Sequence, residues 1–299
     1  MRIRSLCGAM RVTLVAVLVA GIAPSAFAQG GDASEEVKRA VERAVGASIA
    51  TSVSESLSRS IVSEGLQTTP TTTLFGSPFY NRVDGSFGFG SFSADTYGGV
   101  IGGLFKVNDV LLLHAALSGA HTSTEVKAAG TKTDVDARFF EARLGADLVF
   151  LNTASVKGWL TLEGGVSNFD SSLTNDIWSW RAGPSATLSV RGGPILFEPT
   201  VGFSFSNTFD DPGDTVIAFQ PGFSLKYRGE RFRPQLNFTY ARVIHPDVDD
   251  RGFISVGPEI LYAVTPSLLI GGAYSYGTTL NKDTRIDSHT VTLEVRWTF

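Results

Sequence analysis

The side chains that chemistry would recruit are few in this chain. His114 and Ser118 stand four apart, His121 and His289 stand alone, and two acidic groups occur, Asp210, Asp211 and Asp214, and Asp247, Asp249 and Asp250. A hydroxyl nucleophile needs its histidine within hydrogen-bond reach. On an extended strand His114 and Ser118 lie about 13 Å apart, at ~3.3 Å per residue. His121 and His289 fall near an outer rim, where a surface protease or lipase would work, yet no local motif accompanies them. The acidic groups match no calcium-loop spacing and read as hydrated loop carboxylates. Cys7, the only cysteine, lies near the N-terminus. The sequence therefore assigns no catalytic residue, no metal site and no cofactor, and the expected function is not enzymatic.

The elements explain why. Residues 1–28 read as a cleaved export signal: Arg2, Arg4 and Arg11 are followed by the apolar run Val12–Ile22, by Pro24 and by Ala26-Phe27-Ala28. The apolar run is about half the ~20 residues that a spanning helix needs. Removing three arginines leaves 22 basic against 29 acidic residues, a net charge of −7, which argues against nucleic acid as a partner. Residues 29–66 read as a helical segment. Within it, Ala33–Gly65 carries an apolar stripe at Val37, Val41, Val45, Ile49, Val53, Leu57 and Ile61, flanked by Glu35, Glu36, Lys38, Arg39, Glu42 and Arg43. Residues 67–78 read as an extended Thr/Pro linker.

From residue 79 to 299 the period is two. Apolar residues alternate in segments such as Tyr97–Val107, Leu111–Leu117, Ala142–Phe150 and Val291–Phe299. Tight turns at Asn108-Asp109, Asn152–Ser155, Arg191–Gly193, Arg228–Glu230 and Thr265–Ser267 alternate with longer polar loops at Thr122–Asp134, Asn168–Asp176, Phe209–Asp214, His245–Arg251 and Thr278–Ser288. Short turns on one rim and long loops on the other match an outer-membrane barrel. The count back from the C-terminus gives eleven strands, and Asp84–Phe92 is assigned as the twelfth. Gly183-Pro184, Gln220-Pro221 and Gly257-Pro258 repeat ahead of successive tight turns, which marks one hairpin design used three times.

Charge sets the phase. No charged residue falls on the alternating apolar face. The other face carries Glu141, Arg143, Asp147, Lys157, Glu163, Arg181, Glu198, Lys226, Arg233, Glu259, Glu294 and Arg296, the expected lumen lining. A basic residue turned into lipid at the bilayer midplane costs about 2–4 kcal/mol. A soluble β-sandwich or lipocalin-like barrel has the same period with its apolar face inward. The leader, the aromatic C-terminus and aromatics near both strand ends (Trp178, Tyr240 and Tyr276 above; Tyr227, Tyr262 and Trp297 below) favour the membrane. The expected fold is an all-β transmembrane barrel of 12 antiparallel strands, preceded by one N-terminal amphipathic helix. It would be exported to the cell outer membrane, with outer-membrane lipids and lipopolysaccharide as partners.

The segment Thr96–Ser123, with Gly98-Gly99-Val100-Ile101-Gly102-Gly103-Leu104-Phe105 and the Asn108-Asp109 turn, resembles the start of the translocator domain of autotransporters, the type V secretion barrels. The ending Val295-Arg296-Trp297-Thr298-Phe299 resembles that family's terminal assembly signal. The resemblance implies a role for Val295, Trp297 and Phe299 in recognition by the barrel-assembly machinery, and a helix occupying the pore. The chain departs from the family in having only residues 29–32 between leader and helix, where autotransporters carry a passenger. Two functions follow as expectations: a pore or scaffold with the helix plugging the lumen, or a stand-alone channel or surface-structural protein whose periplasmic helix mediates self-association.

Overall fold

Side-chain chemistry fixes the chain reversals on one rim. Asn108 Oδ1 accepts hydrogen bonds from the amides of Val110 and Leu111, each at 2.8 Å. Thr265 Oγ1 accepts from Ser267 (3.2 Å) and Leu268 (3.0 Å), Thr153 Oγ1 accepts from Val156 (2.9 Å), and Gly193 takes a left-handed φ of 61° that suits glycine. A computed structural model of the chain describes residues 72–299, apart from residues 88–89, 129–130, 172–175, 210–214, 245–251 and 281–283. The signal segment 1–28 and the helical segment 29–66 lie outside the described residues, as do both loop clusters of aspartates.

Between these turns run twelve strands: β1 (Thr72–Phe87), β2 (Gly90–Lys106), β3 (Leu111–Ala128), β4 (Thr131–Asn152), β5 (Val156–Ser171), β6 (Ile177–Gly192), β7 (Ile195–Thr208), β8 (Val216–Tyr227), β9 (Phe232–Val243), β10 (Gly252–Ala263), β11 (Leu268–Thr279) and β12 (Thr284–Thr298). Each pairs antiparallel with its sequence neighbours, and β12 returns to pair with β1, closing the barrel. Thr72 and Phe299 exchange backbone hydrogen bonds of 3.3 and 3.0 Å where the ring shuts. No backbone edge is left for lipid to expose.

Two sequence assignments need correction. The first strand is Thr72–Phe87, so the barrel takes in the second half of the segment read as a linker and begins before Phe79. Asp84–Phe92 is not a strand of its own; it spans the end of β1 and the start of β2. The strands also continue through stretches read as loops, to Ala128 in β3 and from Thr131 in β4. There the outward residues His121, Ser123, Glu125 and Lys127 are polar because this part of the wall stands beyond the apolar band. Alternation persists, but water replaces lipid on the outer side.

Prolines sit where they break few rungs. Pro78, Pro184, Pro199, Pro221 and Pro258 each face one seam, and there the ladder skips a step. The β1–β12 ladder is interrupted between Gly76↔Val295 and Phe79↔Thr292, β8–β9 between Phe219↔Arg242 and Gly222↔Thr239, and β10–β11 between Val256↔Tyr276 and Glu259↔Ala273. The β6–β7 ladder is interrupted twice, at Pro184 and at Pro199. Pro234 lies just past the last β8–β9 rung, Lys226↔Gln235. The other neighbour of each proline pairs without a break. Opposite Pro78, the hydroxyl of Ser77 donates to the Leu293 carbonyl and replaces the missing amide. The proline-interrupted seams are three of those joined by short turns, β6–β7, β8–β9 and β10–β11, and the closing seam. The hairpins on the long-loop rim keep continuous ladders.

Glycines of β2 receive rings from β1. A Cβ at Gly102 would lie 2.4 Å from the Phe75 ring and 2.5 Å from the Ala115 carbonyl; one at Gly98 would lie 2.4 Å from the Phe79 ring. Both rings are buried on the inner face. Overfilling a packed site of this kind costs about 1–3 kcal/mol. Gly102→Ala should lower stability by that amount in urea unfolding. Adding Phe75→Ala should restore only part, because the Ala115 carbonyl stays in place.

Candidate functional site: the barrel lumen

Strand alternation sends one set of side chains outward and the other into the lumen. Outside lie Leu117, Leu144, Leu162, Val201, Ile260 and Leu293, all exposed, within an apolar band. Tyr97, Trp178 and Tyr274 border this band above, and Phe105, Tyr227, Phe232, Tyr262, Trp297 and Phe299 border it below. Rings also meet across seams of the outer wall: Phe197–Phe223 at 5.8 Å, Phe223–Phe238 at 5.2 Å and Phe203–Phe219 at 5.4 Å between centroids. An apolar girdle with aromatic borders is the surface that a bilayer solvates.

Inside, ten of the twelve lumen-assigned residues are buried: Glu141, Arg143, Asp147, Glu163, Arg181, Glu198, Lys226, Glu259, Glu294 and Arg296. Lys157 and Arg233 are half-buried. The structure gathers them into three groups. On β3–β6, Glu141 binds Arg143 Nη2 at 2.7 Å and Arg181 Nη2 at 2.8 Å, and Arg181 also lies 3.8 Å from Glu163. Across β6–β8, Lys226 Nζ is 2.7 Å from Glu198, which accepts a 3.0 Å hydrogen bond from Ser189. Across β9–β12, Arg296 binds Glu259 at 2.9 Å and also Glu294, while Gln235 donates to Glu259. A buried charge is tolerated only when paired and hydrogen-bonded, and each carboxylate here has a cation or donor beside it.

The first group holds a contact that sequence spacing hid. His114 Nδ1 lies 2.9 Å from Asp147 Oδ2 and its Nε2 3.5 Å from Glu163 Oε2. Thr161 Oγ1 donates to the other Asp147 oxygen at 2.5 Å. The imidazole lies over Gly145, where a Cβ would come within 1.9 Å of Nε2. His114 and Asp147 are 33 residues apart but sit on adjacent strands, with His114↔Gly145 as the register pair. Glycine inside β4 was the available signal, since a strand glycine marks a close approach. Ser118 is buried on the same face, and its hydroxyl has no hydrogen-bond partner among the described residues.

The lumen is layered. Near the short-turn rim, Leu104, Leu112, Val149, Trp159, Leu196, Leu261 and Leu269 form a buried apolar collar. The ionic groups occupy the middle. Towards the long-loop rim, Val83, Phe92, Val126, Val135, Phe139, Phe169 and Ile286 are again apolar and buried. Sequence reasoning missed both collars because they lie where both faces of a strand are apolar, or where the outer face has turned polar.

His121 and His289 are not brought together. They stand on β3 and β12, with β2 and β1 between them. His121 Nε2 lies 3.9 Å from Asp136, and His289 Nδ1 is 2.7 Å from the Tyr274 hydroxyl with its ring 5.1 Å from that of Tyr276. Among the described residues no group of three or more His, Cys, Asp or Glu side chains is arranged to hold a metal ion. Val295, Trp297 and Phe299 are exposed at the end of β12, beside the closing seam.

A closed antiparallel barrel with an apolar exterior and a paired ionic interior has the architecture of outer-membrane barrels. Its fold is shared by autotransporter translocator domains and by outer-membrane channels. The translocator domain of NalP from Neisseria meningitidis superposes with a TM-score of 0.53 at 11% identity, over 82% of this chain and 96% of that one. The β-domain of the Bordetella autotransporter BrkA gives 0.54 at 12%, over 77% and 100%. An outer-membrane channel from Pseudomonas putida F1 gives 0.54 at 11%, over 78% and 97%. The likeness is one of fold. No protein-family model matches the chain, and no curated protein does.

Glu141→Leu should cost about 3–5 kcal/mol in urea unfolding, since it removes the buried carboxylate that two buried guanidinium groups share. Glu125 behaves differently, on the outer face of the wall beyond the apolar band. Hydrogen bonds from Lys127 (2.6 Å) and Lys132 (2.7 Å) hold its carboxyl down at about 2. A depressed carboxylate adds stability above its unfolded pKa and loses it as pH falls through the folded one. Carboxyl NMR should therefore show these pairs intact until near pH 2. In the Lys127→Ala/Lys132→Ala variant the midpoint should rise to about 4.3.

Proposed function

We infer that the protein is an outer-membrane pore or scaffold of the autotransporter-translocator type, in which the helical segment Ala33–Gly65 plugs the lumen and no catalysis takes place. One observation carries this reading. Twelve strands enclose a wider space than the eight-stranded barrels that side chains alone can fill, yet inner side chains such as Leu112 and Arg296 are buried, at 0% and 1% exposure. The inner wall asks for an occupant that is apolar at the collars and polar at the ionic belt. The segment before Thr72 joins the barrel at the short-turn mouth, where that occupant would enter. Its apolar stripe suits the collars, and its glutamates, lysines and arginines suit the belt.

The partners on this reading are outer-membrane lipids and lipopolysaccharide around the aromatic borders, with the barrel-assembly machinery at the exposed Val295, Trp297 and Phe299. Export by a cleaved signal belongs to the same reading.

Single-channel conductance tests it. The mature chain should be closed in planar bilayers, and a chain lacking Gly30–Thr69 should conduct steadily. Equal conductance of the two, with self-association lost on deletion, would instead assign the helix to the periplasm.

A further inference from the structure

The β6–β7 seam differs from every other. Its ladder survives only as three short runs: Ser179–Ala182 with Phe205–Thr208, Ser185–Thr187 with Thr200–Gly202, and Val190–Gly192 with Ile195–Phe197. Pro184 and Pro199 open the two gaps between them. No other described seam carries two such breaks. On the lipid side, a groove of about 650 Å³ runs up to this seam, between Leu144, Leu162 and Phe205 and over Gly164, Ala182 and Pro184. Gly164 and Ala182 leave the groove floor without bulk. On the lumen side, Thr187 lies between the two gaps; it is 4% exposed, and its hydroxyl has no hydrogen-bond partner among the described residues. A buried hydroxyl left without a partner is costly and calls for an explanation.

We propose that the β6–β7 seam is a lateral portal, at which an acyl chain of a bilayer lipid passes from the outer groove through the wall, its ester end reaching the Thr187 hydroxyl. The occupant follows from position: the groove lies within the apolar band, so hydrocarbon is its solvent, and a lipid ester supplies the acceptor that Thr187 lacks. Each backbone hydrogen bond missing from a seam in lipid lowers the cost of parting the strands there, because fewer groups lose a partner. The portal rests on the membrane-spanning reading of the barrel and on the two gaps of the β6–β7 seam. It therefore fails separately from the plug, which conductance tests.

The only cysteine, Cys7, lies in the leader, so single-cysteine variants of the mature chain carry one label. Thr187→Cys, the outward Leu188→Cys and the lumen-facing Ala116→Cys, on the continuous β2–β3–β4 ladders, are labelled with bimane. They are then refolded into phosphatidylcholine vesicles containing brominated acyl chains. The portal predicts quenching at Thr187→Cys as strong as at Leu188→Cys, no quenching at Ala116→Cys, and loss of the Thr187→Cys signal when Pro184→Ala and Pro199→Ala restore the two donors. Quenching at Thr187→Cys no greater than at Ala116→Cys overturns it. Should the labelled chain not refold, amide exchange on the unmodified protein decides. Protection at Thr187 and Gly202 well below that at Ala116 and Ala142 supports the portal, and equal protection removes it.

Discussion

Hydrocarbon offers no hydrogen bonds, so every amide and carbonyl within the bilayer must find its partner inside the wall. That requirement shapes the whole chain. It forces β12 back onto β1 and ties Phe299 to Thr72 at the point of closure. It also decides where proline is tolerated. Five prolines each turn their missing donor towards a seam joined by a short turn or to the closing seam, while their other neighbour keeps a full ladder. Ser77 shows one repair, its hydroxyl donating to the carbonyl that Pro78 abandons.

A wall with lipid outside must be apolar there, and charges then have only one direction left. The lumen collects them as shared carboxylates: Glu141 between two arginines, Glu198 between Lys226 and Ser189, and Glu259 between Arg296 and Gln235. Such pairs seldom add much net stability over apolar replacements, but removing one partner is costly. Their arrangement therefore sets the polarity of the lumen more than it strengthens the barrel. Collars of leucine, valine and aromatic residues lie above and below the ionic belt.

Much of this was legible in the sequence. The strict alternation of Thr290–Phe299 and the absence of charge on one face gave the strand phase, and the turn residues gave the short-turn rim. The first strand was not legible. Pro78 argues against a strand, and Phe75 and Phe79 point inward, where a lipid-facing pattern does not look for them. The upper ends of β3 and β4 were read as loop because their outer face meets water. The His114–Asp147–Glu163 contact depends on register across three strands, which no local pattern records. The N-terminal helix rests on the period of Val37 to Ile61 alone.

The account stands on the assignment of the outer face to lipid. Sedimentation velocity of the purified mature chain in detergent, away from the detergent's matching density, measures this directly, because bound detergent reports apolar surface that water will not cover. The barrel described here should sediment as a protein–detergent complex and precipitate when detergent is withdrawn. A compact, detergent-free particle that stays in solution would place the apolar residues inside and contradict it.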